Sequence, residues 1–178
     1  MTLFPFFEDI ENKTFLIIGG GRVAKGKVER LRQFTDNIII IAQESDIDGF
    51  LQKDFEESDL ELADYVISAT DSNVLNEKIY RLCDEKNIPV NIVDNPKLCT
   101  FIFPSLIKRG DLTIGICTGC KSPAASKYIR KEIENMLPEN IDSIIEEMGA
   151  FREKLKREIP NQEERSRILK NKLIELMK

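Results

Sequence analysis

The stretch TFLIIGGGRVA at residues 14–24 decides the fold, because a continuous apolar run ends directly in three glycines. The run over residues 14–18 is typical of a parallel strand that is buried on both faces. Apolar residues at helical spacing follow over residues 23–34, and a second apolar run covers residues 38–42. The chain is therefore predicted to open with a strand, a glycine turn, a helix and a second strand.

The same alternation continues along the next fifty residues. Residues 65–69 are predicted to form a third strand, and Asp71 or Ser72 can cap a helix that runs to about residue 86. Residues 90–93 form a further apolar run. Strands that alternate with helices at this spacing predict an α/β fold, with a parallel sheet and crossover helices.

The pattern changes after residue 100. Residues 101–107 and 112–117 are predicted to form two strands joined by a hairpin loop. Ser122 and Pro123 then suit the N-cap and first turn of a helix that ends at Met136 or Leu137. Two more amphipathic segments, residues 140–158 and 162–177, predict C-terminal helices.

The glycine turn has the spacing of a dinucleotide-binding loop. Gly19, Gly21 and Ala24 form G-x-G-x-x-A, in which glycines allow a tight turn and close approach of a pyrophosphate to the backbone. Glu44 follows Ala24 by 20 residues, where the fingerprint expects a carboxylate for the ribose hydroxyls. A carboxylate at this position repels the extra phosphate of NADP, so we expect NAD to be the preferred cofactor. The candidate cofactor-binding residues are Gly19, Gly21, Arg22, Val23, Ala24, Gln43, Glu44, Thr70 and Asp71.

Alternatives to this interpretation remain open. The glycines can serve strand–helix packing alone, and Arg22 can contact a phosphate or simply lie on the surface. Acidic residues also occur at Asp46 and Asp48, so that a carboxylate near position 44 can arise by chance.

Composition excludes several kinds of chemistry. The 178 residues contain no histidine, which rules out Ser-His-Asp and Cys-His nucleophile systems and any imidazole metal ligand. Lysine and arginine number 26 against 31 acidic residues, and this acidic balance argues against a general nucleic-acid binder. The sequence shows neither a signal peptide nor an apolar run long enough to span a membrane, so we expect a cytoplasmic protein with reduced cysteines.

Several ordered motifs resemble one family. The block of residues 91–130, with FPFF at 4–7, IIGGGRVAKGK at 17–27 and SATD at 68–71, resembles the precorrin-2 dehydrogenases of siroheme synthesis over about residues 1–150. This resemblance implies NAD-dependent oxidation of precorrin-2 to sirohydrochlorin by a homodimer. It also implies an NAD-binding Rossmann-like domain over residues 1–112, then a small dimerisation region and C-terminal helices over residues 113–178. We expect the phenylalanines of FPFF to pack against the sheet.

The resemblance also assigns the site. Asp94 matches the aspartate of the family motif N-x-V-D-x-P and is the candidate catalytic residue, and a carboxylate is the natural proton acceptor in a chain without histidine. Alternatively, Asp94 only caps a turn before Pro96. Cys120 departs from the family segment S/T-S-G-G-x-S-P, where a glycine is expected. The candidate substrate-binding residues are Asn91, Lys97, Thr118, Lys121 and Ser122.

Charge is unevenly distributed along the sequence. Residues 95–131 contain seven lysines and arginines and only one acidic residue, a net charge of +6 that leaves −11 for the rest of the chain. A polycarboxylate such as precorrin-2 favours a basic site of this kind, although a solvated helix face and a charged loop explain the same pattern. Cys117 and Cys120 form C-x-x-C without a second pair or a histidine, so we expect no metal site.

Two other functions remain possible from the sequence. The chain can be bifunctional and also insert ferrous iron into sirohydrochlorin, although the lack of histidine weakens this alternative. It can also be an NAD-binding sensor without catalytic activity, for which the long block of residues 91–130 has no obvious use. We expect no fused methyltransferase domain.

Overall fold

The computed structural model describes residues 2–177 and confirms the α/β fold. Five parallel strands form one sheet in the order β3-β2-β1-β4-β5, so that the chain winds outward from β1 in both directions. The helices after β1 and β4 are the predicted crossover connections. The strands are β1 (Phe15–Ile18), β2 (Ile38–Ala42), β3 (Leu51–Gln52), β4 (Tyr65–Ser68) and β5 (Val90–Ile92), and the helices are α1 (Arg22–Leu31) and α2 (Asn73–Glu85).

Alternate residues of β1 fill the hydrophobic clusters on the two faces of this sheet. Leu16 and Ile18 pack in one cluster with Ile79 of α2, whereas Phe15 and Ile17 belong to the second cluster. Burial of one such large apolar side chain contributes about 1.5 to 3 kcal/mol. Because both faces of the sheet are covered, the central strands β1 and β2 are apolar at every position, as the sequence pattern indicated.

The structure differs from the predicted elements in three places. The acidic stretch contains the short strand β3 and a 3-10 helix, Glu57–Leu62, neither of which was predicted. The strand predicted over residues 101–107 begins only at Ser105, since the ring of Phe101 instead packs against Tyr65 and the ring of Phe103 packs against Phe101. The FPFF phenylalanines do not pack on the sheet, since Phe4, Phe6 and Phe7 are 84%, 74% and 78% exposed.

The chain divides into two compact units, and the sheet unit comprises residues 6–103. The second unit comprises residues 104–177 together with residues 2–5. It contains the predicted hairpin and three helices, of which the first begins at the predicted N-cap Ser122. The domain boundary at residues 112 and 113 stays a prediction. The elements of the second unit are β6 (Ser105–Arg109), β7 (Leu112–Ile116), α3 (Pro123–Met136), α4 (Ile141–Glu158) and α5 (Gln162–Leu176).

Membrane-spanning helices are absent from residues 2–177, where each helix is too short or too polar to cross a bilayer.

Candidate cofactor and substrate site

The candidate cofactor residues follow three neighbouring strands at one edge of the sheet. Gly19 comes directly after β1, Gln43 after β2, and Ala69 after β4. All these strands are parallel, so their carboxyl ends meet at the same edge, which is where ligands of open α/β sheets bind. The same edge also carries Asp94, two residues beyond β5.

The reason for a glycine differs among the three positions of the loop. Gly19 has φ +115°, and a Cβ there would lie 2.4 Å from the backbone oxygen of Ala69. At Gly20 a Cβ would lie 2.1 Å from the backbone oxygen of Glu44. A Cβ at Gly21 would meet no atom within 4 Å. Packing therefore explains the first two glycines, whereas the third leaves open space in front of α1.

This open space fits the pyrophosphate of a dinucleotide. Gly21 is the N-cap of α1, and no side chain hydrogen-bonds to the N-terminus of this helix, whereas Ser72 caps α2 in the usual way. The first N–H groups of α1 are thus left for an anion, which the helix dipole also favours. Ala24 is completely buried, as close contact between helix and sheet requires, while Val23 is 46% exposed beside the loop. Arg22 is also exposed.

The residues after β2 border the glycine loop. Glu44 is exposed, and its backbone oxygen lies against Gly20. The hydroxyl of Ser45 donates a hydrogen bond to the carbonyl of Gly20 at 3.0 Å, which ties the two loops together. The Gln43 side chain is exposed and donates to Asp54 Oδ1 at 2.6 Å. The Glu44 backbone thus borders the glycine loop, and contact of the Glu44 carboxylate with the ribose stays a prediction.

The loop after β4 is held by a residue that sequence reasoning missed. Asn76 of α2 is buried, and its side-chain oxygen accepts hydrogen bonds from the hydroxyls of Ser68 and Thr70 at 2.6 and 2.9 Å. Its amide nitrogen donates to the Thr70 carbonyl at 3.0 Å. Asp71 follows as an exposed residue. These hydrogen bonds hold Thr70 in place, and the backbone of Ala69 and Thr70 lies against Gly19. Asn76 therefore supports the glycine loop indirectly.

Asp94 occupies a strained turn. Its φ of +60° is rare for a residue other than glycine, and backbone strain of this kind is often found at functional sites. The Val93 amide donates to the Ser68 carbonyl at 2.9 Å, and the Cys99 thiol donates to the carbonyls of Ile92 and Asn95. The Asp94 side chain is exposed, and within residues 2–177 it forms no hydrogen bond or salt bridge.

The two other candidates in this segment have different surroundings. Asn91 is buried on β5, and its amide donates to the Phe101 carbonyl at 2.9 Å, which fixes the chain on its return from the Asp94 turn. Lys97 is exposed on the 3-10 helix Pro96–Leu98. Asn91 therefore supports the turn, and contact of Asn91 or Lys97 with a substrate stays a prediction.

Lys27 of α1 packs against Phe103, although sequence reasoning did not select it. Its Nζ is 4.1 Å from the centre of the Phe103 ring. Burial and, to a lesser degree, the Arg30 guanidinium lower the pKa of Lys27 to about 8, while Cys99 and Asp94 oppose this change. A partly buried amine with a perturbed pKa is a common feature of functional sites.

The remaining substrate candidates belong to the second unit. The Thr118 hydroxyl donates to the Ser122 carbonyl at 3.0 Å and accepts from the Ser122 amide at 3.2 Å. The Ser122 hydroxyl in turn caps α3 by accepting from Ala125. Thr118 and Ser122 are thus half-buried parts of the turn that starts α3, whereas Lys121 is exposed.

The positive charge of residues 95–131 is smaller than the sequence count suggests. Glu134 forms salt bridges with both Arg109 and Arg130, and Glu134 lies just outside the counted segment. Other cations of the segment, such as Lys97, Lys121 and Lys127, are exposed.

The C-x-x-C pair lies on the surface of the second unit. Cys117 and Cys120 are free and exposed, and Cys120 has φ +62°. Among residues 2–177, no three potential cysteine, aspartate or glutamate ligands are arranged to hold a metal ion.

The sheet order and the uncapped glycine loop define a dinucleotide-binding α/β protein. A family model described as "Putative NAD(P)-binding" matches residues 6–105, and the chain belongs to this family. The matched residues include the whole glycine loop, Glu44 and Asp94, and they almost coincide with the sheet unit of residues 6–103.

Individual relatives agree with the resemblance found in the sequence. A siroheme synthase of Ruthia magnifica subsp. Calyptogena magnifica is 36% identical over 93% of this chain and 37% of its own length. The siroheme synthase of Thioalkalivibrio sulfidiphilus is 34% identical over 94% of this chain and 36% of its own. The chain thus spans somewhat more than a third of the curated relatives that it matches.

A solved structure has the same fold. The protein described as "SirC, precorrin-2 dehydrogenase" superimposes with a TM-score of 0.76 over 95% of this chain and 88% of its own, at 18% identity. Together with the siroheme synthases, this match confirms both the predicted resemblance and the Rossmann-like fold class.

Proposed function

We propose that this protein oxidises precorrin-2 to sirohydrochlorin with NAD as the electron acceptor. The observation that carries the proposal is the exposed Asp94 carboxylate, which follows β5 at the sheet edge that bears the uncapped glycine loop. The similarity to siroheme synthases supports a substrate of siroheme synthesis, and the match to the NAD(P)-binding family supports a dinucleotide cofactor.

Different residues bind the cofactor and accept the proton. The amide groups at the start of α1 bind the pyrophosphate, and Glu44 accepts hydrogen bonds from the ribose hydroxyls. NAD, when bound, supplies the acceptor for a hydride from the tetrapyrrole. The carbon–hydrogen bond breaks with its electron pair, and a proton must also leave so that the new double bond forms without residual charge. Asp94 accepts this proton.

The absence of histidine makes Asp94 the natural proton acceptor. Its carboxylate is exposed and forms no hydrogen bond or salt bridge within the described chain, so both oxygens remain available to a substrate. The hydrogen bonds of Val93 and Cys99 hold the turn on either side of it. A carboxylate held in this way can receive a proton without first breaking another interaction.

The exposed lysines supply the attraction for a polycarboxylate. Lys97 belongs to the sheet unit, and Lys121 and Lys127 belong to the second unit. We propose that Lys97, on the sheet unit, binds a carboxylate of precorrin-2, whereas contact of Thr118, Lys121 and Ser122 with the substrate stays a prediction for the second unit taken by itself. The attraction of exposed lysines acts over about 8 to 10 Å at ordinary ionic strength, so added salt should raise KM more than it lowers kcat.

We also propose that the protein is a cytoplasmic homodimer. Large apolar side chains are exposed on α3, where Tyr128 and Met136 are 66% and 82% accessible, and such a surface favours a partner. No disulfide joins any of the four cysteines, all of which lie within residues 2–177, and this supports a reducing compartment. Sedimentation of the wild type and of Met136→Glu tests the dimer. Equal monomeric behaviour of both proteins would exclude it.

The activity is tested with purified protein, precorrin-2 and NAD under anaerobic conditions. Formation of sirohydrochlorin and NADH in equal amounts is the expected result. A folded protein that binds NAD but gives no product would instead favour the sensor function. Parallel reactions with NADP and without a dinucleotide establish which electron acceptor is used.

A further inference from the structure

The Asp94 carboxylate is carried by a tight β-turn over residues 92–95. The Asn95 amide donates to the Ile92 carbonyl at 3.2 Å, which closes the turn, and Asp94 is its third residue. Asp94 has φ +60°, whereas Val93 before it has no positive φ. This combination is typical of a type II turn, whose third position favours glycine or asparagine. An aspartate there needs support from the surrounding structure to keep its conformation.

The Cys99 side chain spans this turn. Its Sγ lies 3.2 Å from the Ile92 carbonyl oxygen and 3.3 Å from the Asn95 carbonyl oxygen, so that the first and last residues of the turn share the thiol proton. Each of these carbonyls also accepts a backbone amide, and its second lone pair is available to the thiol. Cys99 thus links the two ends of the turn that carries Asp94.

The Cys99 sulfur is itself held by the sheet. Asn91, which is buried on β5, places its amide nitrogen 3.5 Å from Cys99 Sγ and donates to the Phe101 carbonyl at 2.9 Å. Because the sulfur accepts from Asn91, the thiol proton is directed toward the turn. The half-buried Cys99 also packs against the hydrophobic cluster between the sheet and α2. Hydrogen bonds therefore run from the strand through the thiol to the turn.

We propose that Cys99 is a positioning residue, whose thiol holds the turn of residues 92–95 so that the Asp94 carboxylate keeps the orientation needed for proton transfer. This inference rests on the proposed function, because Cys99 acts on the reaction only through Asp94.

The reaction explains why the turn must be held. A proton acceptor works only within hydrogen-bond reach of the proton that it takes, and a displacement of about 1 Å can slow an enzyme by about a hundredfold. The Asp94 side chain forms no hydrogen bond or salt bridge with any other described residue, so its position depends on the backbone of the turn. Without the thiol, one hydrogen bond closes this turn, and Asp94 can return to the right-handed conformations that it prefers.

The first test compares the kinetics of two Cys99 variants with precorrin-2 and NAD. Cys99→Ala should lower kcat at least about tenfold, because the proton acceptor loses its fixed position. The KM of precorrin-2 and the affinity for NAD should change by less than about threefold, since no binding residue is altered. Cys99→Ser should restore most of kcat, because its hydroxyl can donate to the same carbonyls.

Cys83→Ala is the matched control. Cys83 is completely buried on α2, in the hydrophobic cluster against which Cys99 packs, and it has no part in the site. Its substitution costs packing but should leave kcat within about twofold of the wild type. A Cys99→Ala enzyme with wild-type kcat, or a Cys99→Ser enzyme as slow as Cys99→Ala, would overturn the assignment.

A second test needs neither substrate nor cofactor. Amide hydrogen exchange, followed by NMR, reports opening of the turn at Asn95, whose N–H donates to the Ile92 carbonyl. Exchange at Asn95 should be at least about tenfold faster in Cys99→Ala than in the wild type or Cys99→Ser. The Ala69 amide, which donates to the Ile18 carbonyl, is the internal reference and should exchange equally in all three. Unchanged exchange at Asn95 in Cys99→Ala would show that the thiol does not hold the turn.

The outcomes separate this inference from the proposed function. If the wild type does not oxidise precorrin-2, the function fails, and the catalytic role of Cys99 fails with it, whatever the exchange rate at Asn95. If the wild type is active and Asp94→Asn is inactive, but Cys99→Ala retains its kcat, only the role of Cys99 is wrong.

Discussion

Substitution of Gly21 by alanine should weaken NAD binding while leaving the fold intact. Gly21 has φ −77° and ψ −178°, an extended conformation that alanine adopts easily, and its added methyl group would meet no protein atom within 4 Å. The open space is where the pyrophosphate is expected to lie. The methyl group therefore competes with the cofactor rather than with the protein.

The expected magnitudes follow from this geometry. Alanine is a poorer N-cap than glycine but reduces the entropy of the unfolded chain, so the free energy of unfolding should change by less than about 1 kcal/mol. NAD affinity should fall at least about tenfold, equivalent to roughly 1.4 kcal/mol. Gly19→Ala is the matched comparison, because its φ of +115° and its 2.4 Å approach to the Ala69 oxygen predict about 2 to 4 kcal/mol of destabilisation.

Urea denaturation and calorimetric titration with NAD measure the two quantities separately. Gly21→Ala should unfold at nearly the same urea concentration as the wild type, whereas Gly19→Ala should unfold much earlier. A Gly21→Ala protein that binds NAD with wild-type affinity would refute the assignment of the loop to the pyrophosphate.

Two further predictions concern single charges. Glu44→Ser should shift the ratio of NADP to NAD affinity toward NADP by at least about tenfold, because the repulsion of the extra phosphate is removed. An unchanged ratio in parallel titrations would show that Glu44 does not contact the ribose. Lys27→Met should raise the free energy of unfolding at pH 7 by about 1 to 3 kcal/mol. Burial lowers the pKa of Lys27 from its ordinary 10.5 to about 8, so the folded state binds this proton less tightly than the unfolded state does. Removal of the amine therefore removes an unfavourable charge from the folded state. This advantage should shrink as the pH rises from 8 to 10.5, and urea unfolding that shows the same difference for Lys25→Met, at an exposed lysine of the same helix, would contradict its electrostatic origin.

The parts of the site that were predictable from the sequence are local. The apolar run of β1, the three glycines and the start of α1 are contiguous, so their geometry is determined mainly by neighbouring residues. The position of Asp94 was also predictable, because a residue after a parallel strand lies at the same edge as the glycine loop. Its left-handed backbone was not, since nothing in the residue type requires it.

The surroundings of Lys27 depend on a contact between distant parts of the sequence. Lys27 meets Phe103 only because α1 and the segment after β5 pack together, and no helical periodicity reveals that pairing. Asn76 is similar, since its role depends on Ser68 and Thr70 across the β4–α2 loop. A buried asparagine within a helix is a weak signal that could have suggested such a support.

The charge pattern shows a further limit of sequence counts. Arg130 and Glu134 are four residues apart on one helix, so their salt bridge was predictable. The second bridge of Glu134, to Arg109, joins α3 to the hairpin and required the structure. Counting charges by segment therefore overestimated the positive charge that is available to a substrate.

The central claim is that Asp94 accepts a proton while precorrin-2 is oxidised, and Asp94→Asn tests it most directly. Asparagine tolerates the left-handed backbone at φ +60° and has nearly the same shape, so that the variant removes the charge without disturbing the turn. Anaerobic conversion of precorrin-2 with NAD should be at least about a hundredfold slower in Asp94→Asn than in the wild type, with unchanged NAD affinity. Near-normal formation of sirohydrochlorin by the variant would contradict the account.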